Sequence, residues 1–251
     1  MTFLHDTLPA QHYPARQWLA FLSRHPAAHA EWHRPRFSRH AFIEVAPAGA
    51  AIRLFGLHPS AVHAAWTERR RVFELRSLLR SIAEHQGGFH VLAGDFNTLA
   101  PGEDLDLKRL PPRLRPFVWL SGGRIRWRTI REVVAAGYVD AFRLRHPDDP
   151  GLTMPAPDPH VRLDYVFVPY AFRERIVACD VVRTPEAVVA SDHLPVVGRS
   201  GNRLRLERVE LPYECLSLEP QSVVRSHRAR VAHRRRRRRA RARPHEDSRS
   251  V

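Results

Sequence analysis

Gly94-Asp95-Phe96-Asn97 follows directly on the apolar run Val91-Leu92-Ala93, which Gly87-Gly88 bounds upstream. A short apolar run between turn signals reads as a buried strand. Asp95 and Asn97 then stand two residues apart at its end, on one rim of a sheet. That rim is where open α/β sheets keep their chemistry. Alone the tetrapeptide is ambiguous, because Asp-x-Asn also closes ordinary turns.

Upstream, Ala41–Val45 and Ile52–Leu57 flank the turn Pro47-Ala48-Gly49 and read as a hairpin ending at His58. Thr67 is the expected N-cap of a helix with Glu68 in its first turn. Val72, Leu75, Leu78, Leu79 and Ile82 recur at helical spacing until Gly87-Gly88. Strand, helix and strand in succession predict α/β layering. Downstream, Pro101–Gly123 reads as a connection, Thr129–Ala136 as a helix and Val139–Phe142 as a brief extended segment. Leu163–Val168, Ile176–Arg183 and Leu194–Val197 read as strands. Residues 1–39 show little periodicity and are expected to be irregular.

The formal net charge of +15 is unevenly spread. Arg225–Val251 holds twelve Arg against Glu246 and Asp247, a net of +10, which leaves +5 for everything before it. The high pI is therefore a property of the tail. Arg234–Arg239 is six consecutive Arg, and such blocks repel and stay disordered. A solvated tail, or an out-of-frame extension, is preferred over an electrostatic clamp on nucleic acid, because basic runs are low-specificity signals. Cys179 and Cys215 make neither a disulfide framework nor a metal-ligand spacing. No run approaches the ~18 apolar residues of a membrane span, and the N-terminus has no signal-peptide pattern. The expectation is a soluble, cytoplasmic monomer.

Two later stretches decide how the Gly94–Asn97 segment is read. Arg162-Leu163-Asp164-Tyr165-Val166-Phe167-Val168 sets Asp164 in an apolar strand, where a carboxylate needs a partner. Ser191-Asp192-His193-Leu194-Pro195-Val196 offers a second carboxylate and an imidazole. The three motifs in this order resemble the endonuclease/exonuclease/phosphatase superfamily, the metal-dependent phosphoesterases that include DNase I-like nucleases. The resemblance runs from about Ala41 to Val197.

The resemblance implies a four-layer α/β sandwich: two packed mixed sheets flanked by helices. It also implies hydrolysis of a phosphodiester or phosphomonoester, with nucleic acid among the substrates, and Mg²⁺ or Mn²⁺ as cofactor. Hard oxygen donors suit those ions. Asp95 would activate the attacking water, and Asn97 would donate to a phosphate oxygen or to the nucleophile. Asp164 would pair with His193 and hold it toward the phosphate. Asp192 would bind or orient the metal, with Ser191 making a local turn bond. His58 matches the His that relatives place near the phosphate.

One departure stands out. The family carries an Asn on its first strand and a metal-binding Glu at the end of its second. Asn97 is the first Asn of this chain, and Glu31 and Glu44, the two Glu before His58, match neither position. The expected organisation is thus an irregular segment over 1–39, an N-terminally incomplete phosphoesterase domain over 40–199 and an Arg-rich tail over 200–251. The alternative reading is a non-catalytic, Arg-rich nucleic-acid-binding protein on a degraded enzyme domain.

Overall fold

The computed structural model describes residues 2–5, 19–36, 38, 40–83, 87–103, 105–123 and 127–201; the Arg-rich segment expected beyond residue 200 lies almost wholly outside them. β1 (Thr2–His5) pairs antiparallel with β2 (Ala20–Ser23). β3 (Ala27–His33), β4 (Phe42–Pro47) and β5 (Arg53–Leu57) form an antiparallel meander. α1 (Ala65–Ser81) then crosses to β6 (His90–Asp95), which lies parallel to β5. α2 (Arg115–Leu120) and α3 (Arg128–Ala135) precede β7 (Tyr138–Asp140) and α4 (Ala141–Arg145). β8 (Asp164–Pro169), β9 (Ile176–Val181), α5 (Pro185–Ala190) and β10 (Val196–Ser200) complete the described chain.

The main sheet is mixed, with strand order β3-β4-β5-β6-β8-β7, and β9 pairs with β10 separately. Its two faces follow from strand alternation. Phe55 and Leu92 are register partners, and with Phe167 they face α1 and α3. Leu75, Leu78 and Ile82 of the α1 region and Ile130 and Val133 of α3 close that core. Val91, Val166 and Val168 point the other way, against Ile176, Cys179 and Val181 of β9, Ala187 of α5 and Phe142 of α4. The layers are therefore helices, a six-stranded mixed sheet, and a β9–β10 pair with α4 and α5. Among the described residues, the strands packed on this second face are the antiparallel β9–β10 pair, and β1–β2 is a separate two-stranded sheet.

Burial fixes α1 more firmly than propensity does. Leu75 and Leu78 are essentially inaccessible, and each such side chain contributes about 1.5–3 kcal/mol. Differences of helix propensity among ordinary residues are only about 0.7 kcal/mol. The helix starts earlier than expected: Ala64 is its N-cap and Thr67 lies in the first turn. Thr67 Oγ1 accepts from the Ala64 amide at 3.1 Å, so its hydroxyl serves the helix start from inside.

Residues 1–39 are not irregular throughout, since they contain β2 and β3. β3, Ala-Ala-His-Ala-Glu-Trp-His, carries no β-branched residue. It is extended because its backbone pairs with β4 from Ala27 to His33. The sheet thus begins before residue 40. Two smaller differences follow the same logic. Val139 belongs to β7, but the chain turns into α4 at Ala141 because Asp140 caps it, accepting from the Phe142 and Arg143 amides. The last strand starts at Val196 rather than Leu194, because the Leu194 amide is committed to the Thr153 carbonyl at 2.7 Å.

Candidate active site

Three strand ends meet at one rim. β5 runs into His58, β6 ends at Asp95, and β8 begins at Asp164. Asp95 and Asp164 are register partners, so the sheet itself sets the two carboxylates side by side. Gly94 makes this approach possible. Its φ is +146°, and a β-carbon there would stand 2.0 Å from the Leu57 carbonyl oxygen. Only glycine fits.

Each aspartate has its own histidine. Asp95 Oδ2 lies 3.4 Å from His58 Nε2. Asp164 Oδ2 lies 2.7 Å from His193 Nδ1. His193 therefore donates through Nδ1, which leaves Nε2 for a ligand. The pKa of His193 is raised, first by this hydrogen bond and then by the charges of Asp164, Asp95 and Asp192, against an opposing effect of burial. The loop carrying it is fixed from both sides of His193. The Ala156 amide donates to the Asp192 carbonyl at 2.8 Å and the Leu194 amide to the Thr153 carbonyl. Ser191 Oγ donates to Asp192 Oδ1 at 3.3 Å and accepts from the His193 amide at 3.3 Å. Asp192 itself is exposed.

Asn97 is held more tightly than a substrate contact requires. Its amide nitrogen donates to Asp95 Oδ1 at 2.7 Å, and Nδ2 donates to the Pro59 carbonyl at 3.0 Å. Its φ is +52°, a left-handed conformation that Asn tolerates better than most residues. Asn97 thereby ties the end of β6 to the loop that follows His58.

That loop is anchored by residues the sequence did not single out. Arg71 NH1 donates to the carbonyls of Ser60 at 2.7 Å and Val62 at 3.0 Å. Val62 has φ +78°, unusual for a β-branched residue. Arg71 also binds Glu68 Oε2 through Nε and NH2, at 3.2 and 2.8 Å. Glu68 Oε1 accepts from the Thr129 amide at 2.7 Å, and Oε2 accepts from Thr98 Oγ1 at 3.3 Å. Glu74 holds the Ser60 amide at 3.1 Å. Glu68, Arg71 and Glu74 are all buried. His63 lies in the same loop, and burial pushes its pKa down to about 4, with Arg71 adding to the effect and Glu68 and Asp95 opposing it. A His five residues after His58 was the one available sequence signal. Charged residues within a helix give no sign that they are buried.

The rim thus brings together His58, Asp95, Asn97, Asp164 and His193, with Asp192 close enough for its charge to act on His193. Glu31 and Glu44 lie elsewhere. Glu44 pairs with Phe55, and Phe55 with Leu92, whereas Asp95 falls on the opposite face of the sheet by alternation. Among the described residues, the rim's carboxylates and imidazoles form no three-donor cluster within 4.8 Å. Such a donor set does not make a closed cage. It fits an ion that keeps several waters and takes one or two carboxylates, as Mg²⁺ does.

No family model matches the sequence, and no curated protein matches it. Solved structures do match in fold. The 3' phosphatase NExo from Neisseria, bound to product DNA hairpin, aligns with a TM-score of 0.57 at 16% identity, covering 79% of this chain and 88% of that one. An AP endonuclease from Archaeoglobus fulgidus aligns with a TM-score of 0.55 at 19% identity, covering 73% and 74%. An endonuclease/exonuclease/phosphatase family protein from Leptotrichia buccalis gives 0.53 at 16% identity, covering 80% and 70%. The chain shares the α/β fold of these structures, the fold class that its three motifs implied.

Proposed function

We propose that this chain is a Mg²⁺- or Mn²⁺-dependent phosphoesterase that acts on phosphodiester or phosphomonoester groups of DNA. The observation that carries the reading is the placement of Asp95–His58 beside Asp164–His193 at a single rim. The support for a DNA substrate is the fold shared with a 3' phosphatase bound to a DNA hairpin and with an AP endonuclease.

Asp95 is the general base. It orients an attacking water and takes its proton, and His58 beside it orients the phosphate. His193 is held by Asp164, which favours its charged form. The imidazolium stabilises charge on the phosphate or protonates the leaving oxygen through Nε2. Asn97 acts by holding the His58 loop to the end of β6. Asp192 would hold a hydrated Mg²⁺, which when bound would neutralise phosphate charge.

With few carboxylates at the rim the ion is held weakly. Half-saturation should require more Mg²⁺ than a site with an added Glu, and Mn²⁺, which binds N/O donors more tightly, should rescue turnover. The test is hydrolysis of bis-p-nitrophenyl phosphate and of 3'-phosphorylated and nicked DNA across Mg²⁺ and Mn²⁺ titrations, with Asp95→Ala as blank. Metal-dependent turnover lost in Asp95→Ala supports the reading. Turnover unchanged in that variant, or salt-dependent DNA binding with no turnover, overturns it.

A further inference from the structure

On the sheet face opposite the catalytic rim, β3 presents His29, Glu31 and His33 at successive alternate positions, against Glu44 of β4. Glu31 and Glu44 are register partners. Like charges directly opposed across two strands destabilise the pair. Here one of them, Glu44, is fully buried, which adds the cost of desolvation. Glu44 is held by its neighbours, His33 Nε2 at 2.7 Å from Oε2 and Arg53 hydrogen-bonded to Oε1 among them. Glu31 is left beside His29, with His29 Nε2 at 3.5 Å from its Oε2. His29 Nε2 is also 4.0 Å from Glu44 Oε1.

The ligand atoms of His29, Glu31 and Glu44 all lie within 4.8 Å of one another. Donors at about 2.0–2.1 Å from a tetrahedral ion stand about 3.4 Å apart. Side-chain adjustments of about an ångström therefore close the set. Imidazole mixed with carboxylate selects first-row transition ions over Mg²⁺ or Ca²⁺. Behind Glu44, His33 on the second carboxylate oxygen is the kind of outer partner that orients a ligating carboxylate. Arg53 competes for Glu44 and tempers the affinity.

We propose that His29, Glu31 and Glu44, with His33 orienting Glu44, form a binding site for a divalent first-row transition ion, Zn²⁺ being the tetrahedral fit. The ion fastens β3, an edge strand of the sheet, to β4. This site is distinct from the phosphoesterase rim. Asp95 and Asp164 lie on the other face, so neither proposal depends on the other.

The test uses the full chain without an affinity tag, because the sequence already holds 16 His, stripped with a chelator. Zn²⁺ is titrated by calorimetry and Co²⁺ by its tetrahedral visible absorption. Wild type and Asp95→Ala should bind one equivalent alike at this site and gain thermal stability. His33→Gln should bind about 10–100-fold more weakly. His29→Ala/Glu31→Gln should lose both the binding and the thermal gain; both side chains are exposed, so the fold survives the change. Failure of wild type to bind Zn²⁺, or equal binding by wild type and the double variant, overturns the proposal.

Discussion

Asp95 and Asp164 are register partners across β6 and β8, yet each carboxylate is turned to a different histidine. Two opposed carboxylates repel, and here each repulsion is answered by an imidazole. The pair of pairs is the electrostatic unit of the rim.

Asp164→Asn should release His193. With the principal cause of its raised pKa removed, His193 returns toward 6.5. The alkaline limb of the pH–rate profile, set by loss of the imidazolium, should move to lower pH. NMR titration of the His193 ring checks this without reference to activity. An unchanged ring pKa would contradict the assignment.

The two histidines of opposite shift should shape stability with opposite sign. The raised pKa of His193 contributes stability that is complete below about 6.5 and is lost as pH rises through its folded value. His63 binds its proton less readily in the fold, with a pKa of about 4 against 6.5 unfolded. It therefore destabilises the fold as pH falls from 6.5 to about 4, by up to about 3 kcal/mol. His63→Gln should flatten the acid side of the curve and His193→Gln the alkaline side. Urea unfolding from pH 4 to 9 measures both.

Gly94→Ala should be among the most damaging small changes available. Its β-carbon would meet backbone, the Leu57 carbonyl, at 2.0 Å, at φ +146°. Backbone cannot yield as a side chain does, so the loss should exceed about 3 kcal/mol. A lower unfolding midpoint, or loss of soluble protein, is the expected outcome. An alanine variant as stable as wild type would mean that β5 and β6 are not so close.

Breaking the buried Glu68–Arg71 pair from one side should cost about 3–5 kcal/mol, because the remaining charge is stranded. Arg71→Met and Glu68→Gln should each lower the unfolding midpoint. The double variant should lose less than the two singles added together. Strict additivity would show that the pair is not coupled.

The elements legible in the sequence are those whose side chains bury in regular spacing. Val91-Leu92-Ala93 before Gly94-Asp95, the β8 run around Asp164, and Val72, Leu75 and Leu78 of α1 all announce themselves. The rim's histidines and aspartates were legible only through the resemblance of their motifs to a known family, since each residue taken singly also fits an ordinary turn or strand end. β3 was not, because its extended backbone is imposed by pairing with β4 while its side chains are Ala, His and Glu. Nor was Glu68–Arg71. An Arg and a Glu three apart on a helix ordinarily decorate solvent, and only the tertiary fold shows Thr98 and Thr129 converging on them.

That convergence bears on the order in which the molecule acquires its parts. Glu68 bonds Thr98, 30 residues away, and Thr129, 61 residues away, while Arg71 grips the loop just before its own helix. Local contacts close quickly, and distant ones wait on chain closure. During refolding, α1 can therefore form and collapse onto the sheet before the His58 loop has its final shape. Recovery of the proposed phosphoesterase activity should trail recovery of helical circular dichroism, and the interval should shrink or vanish when Glu68 is replaced.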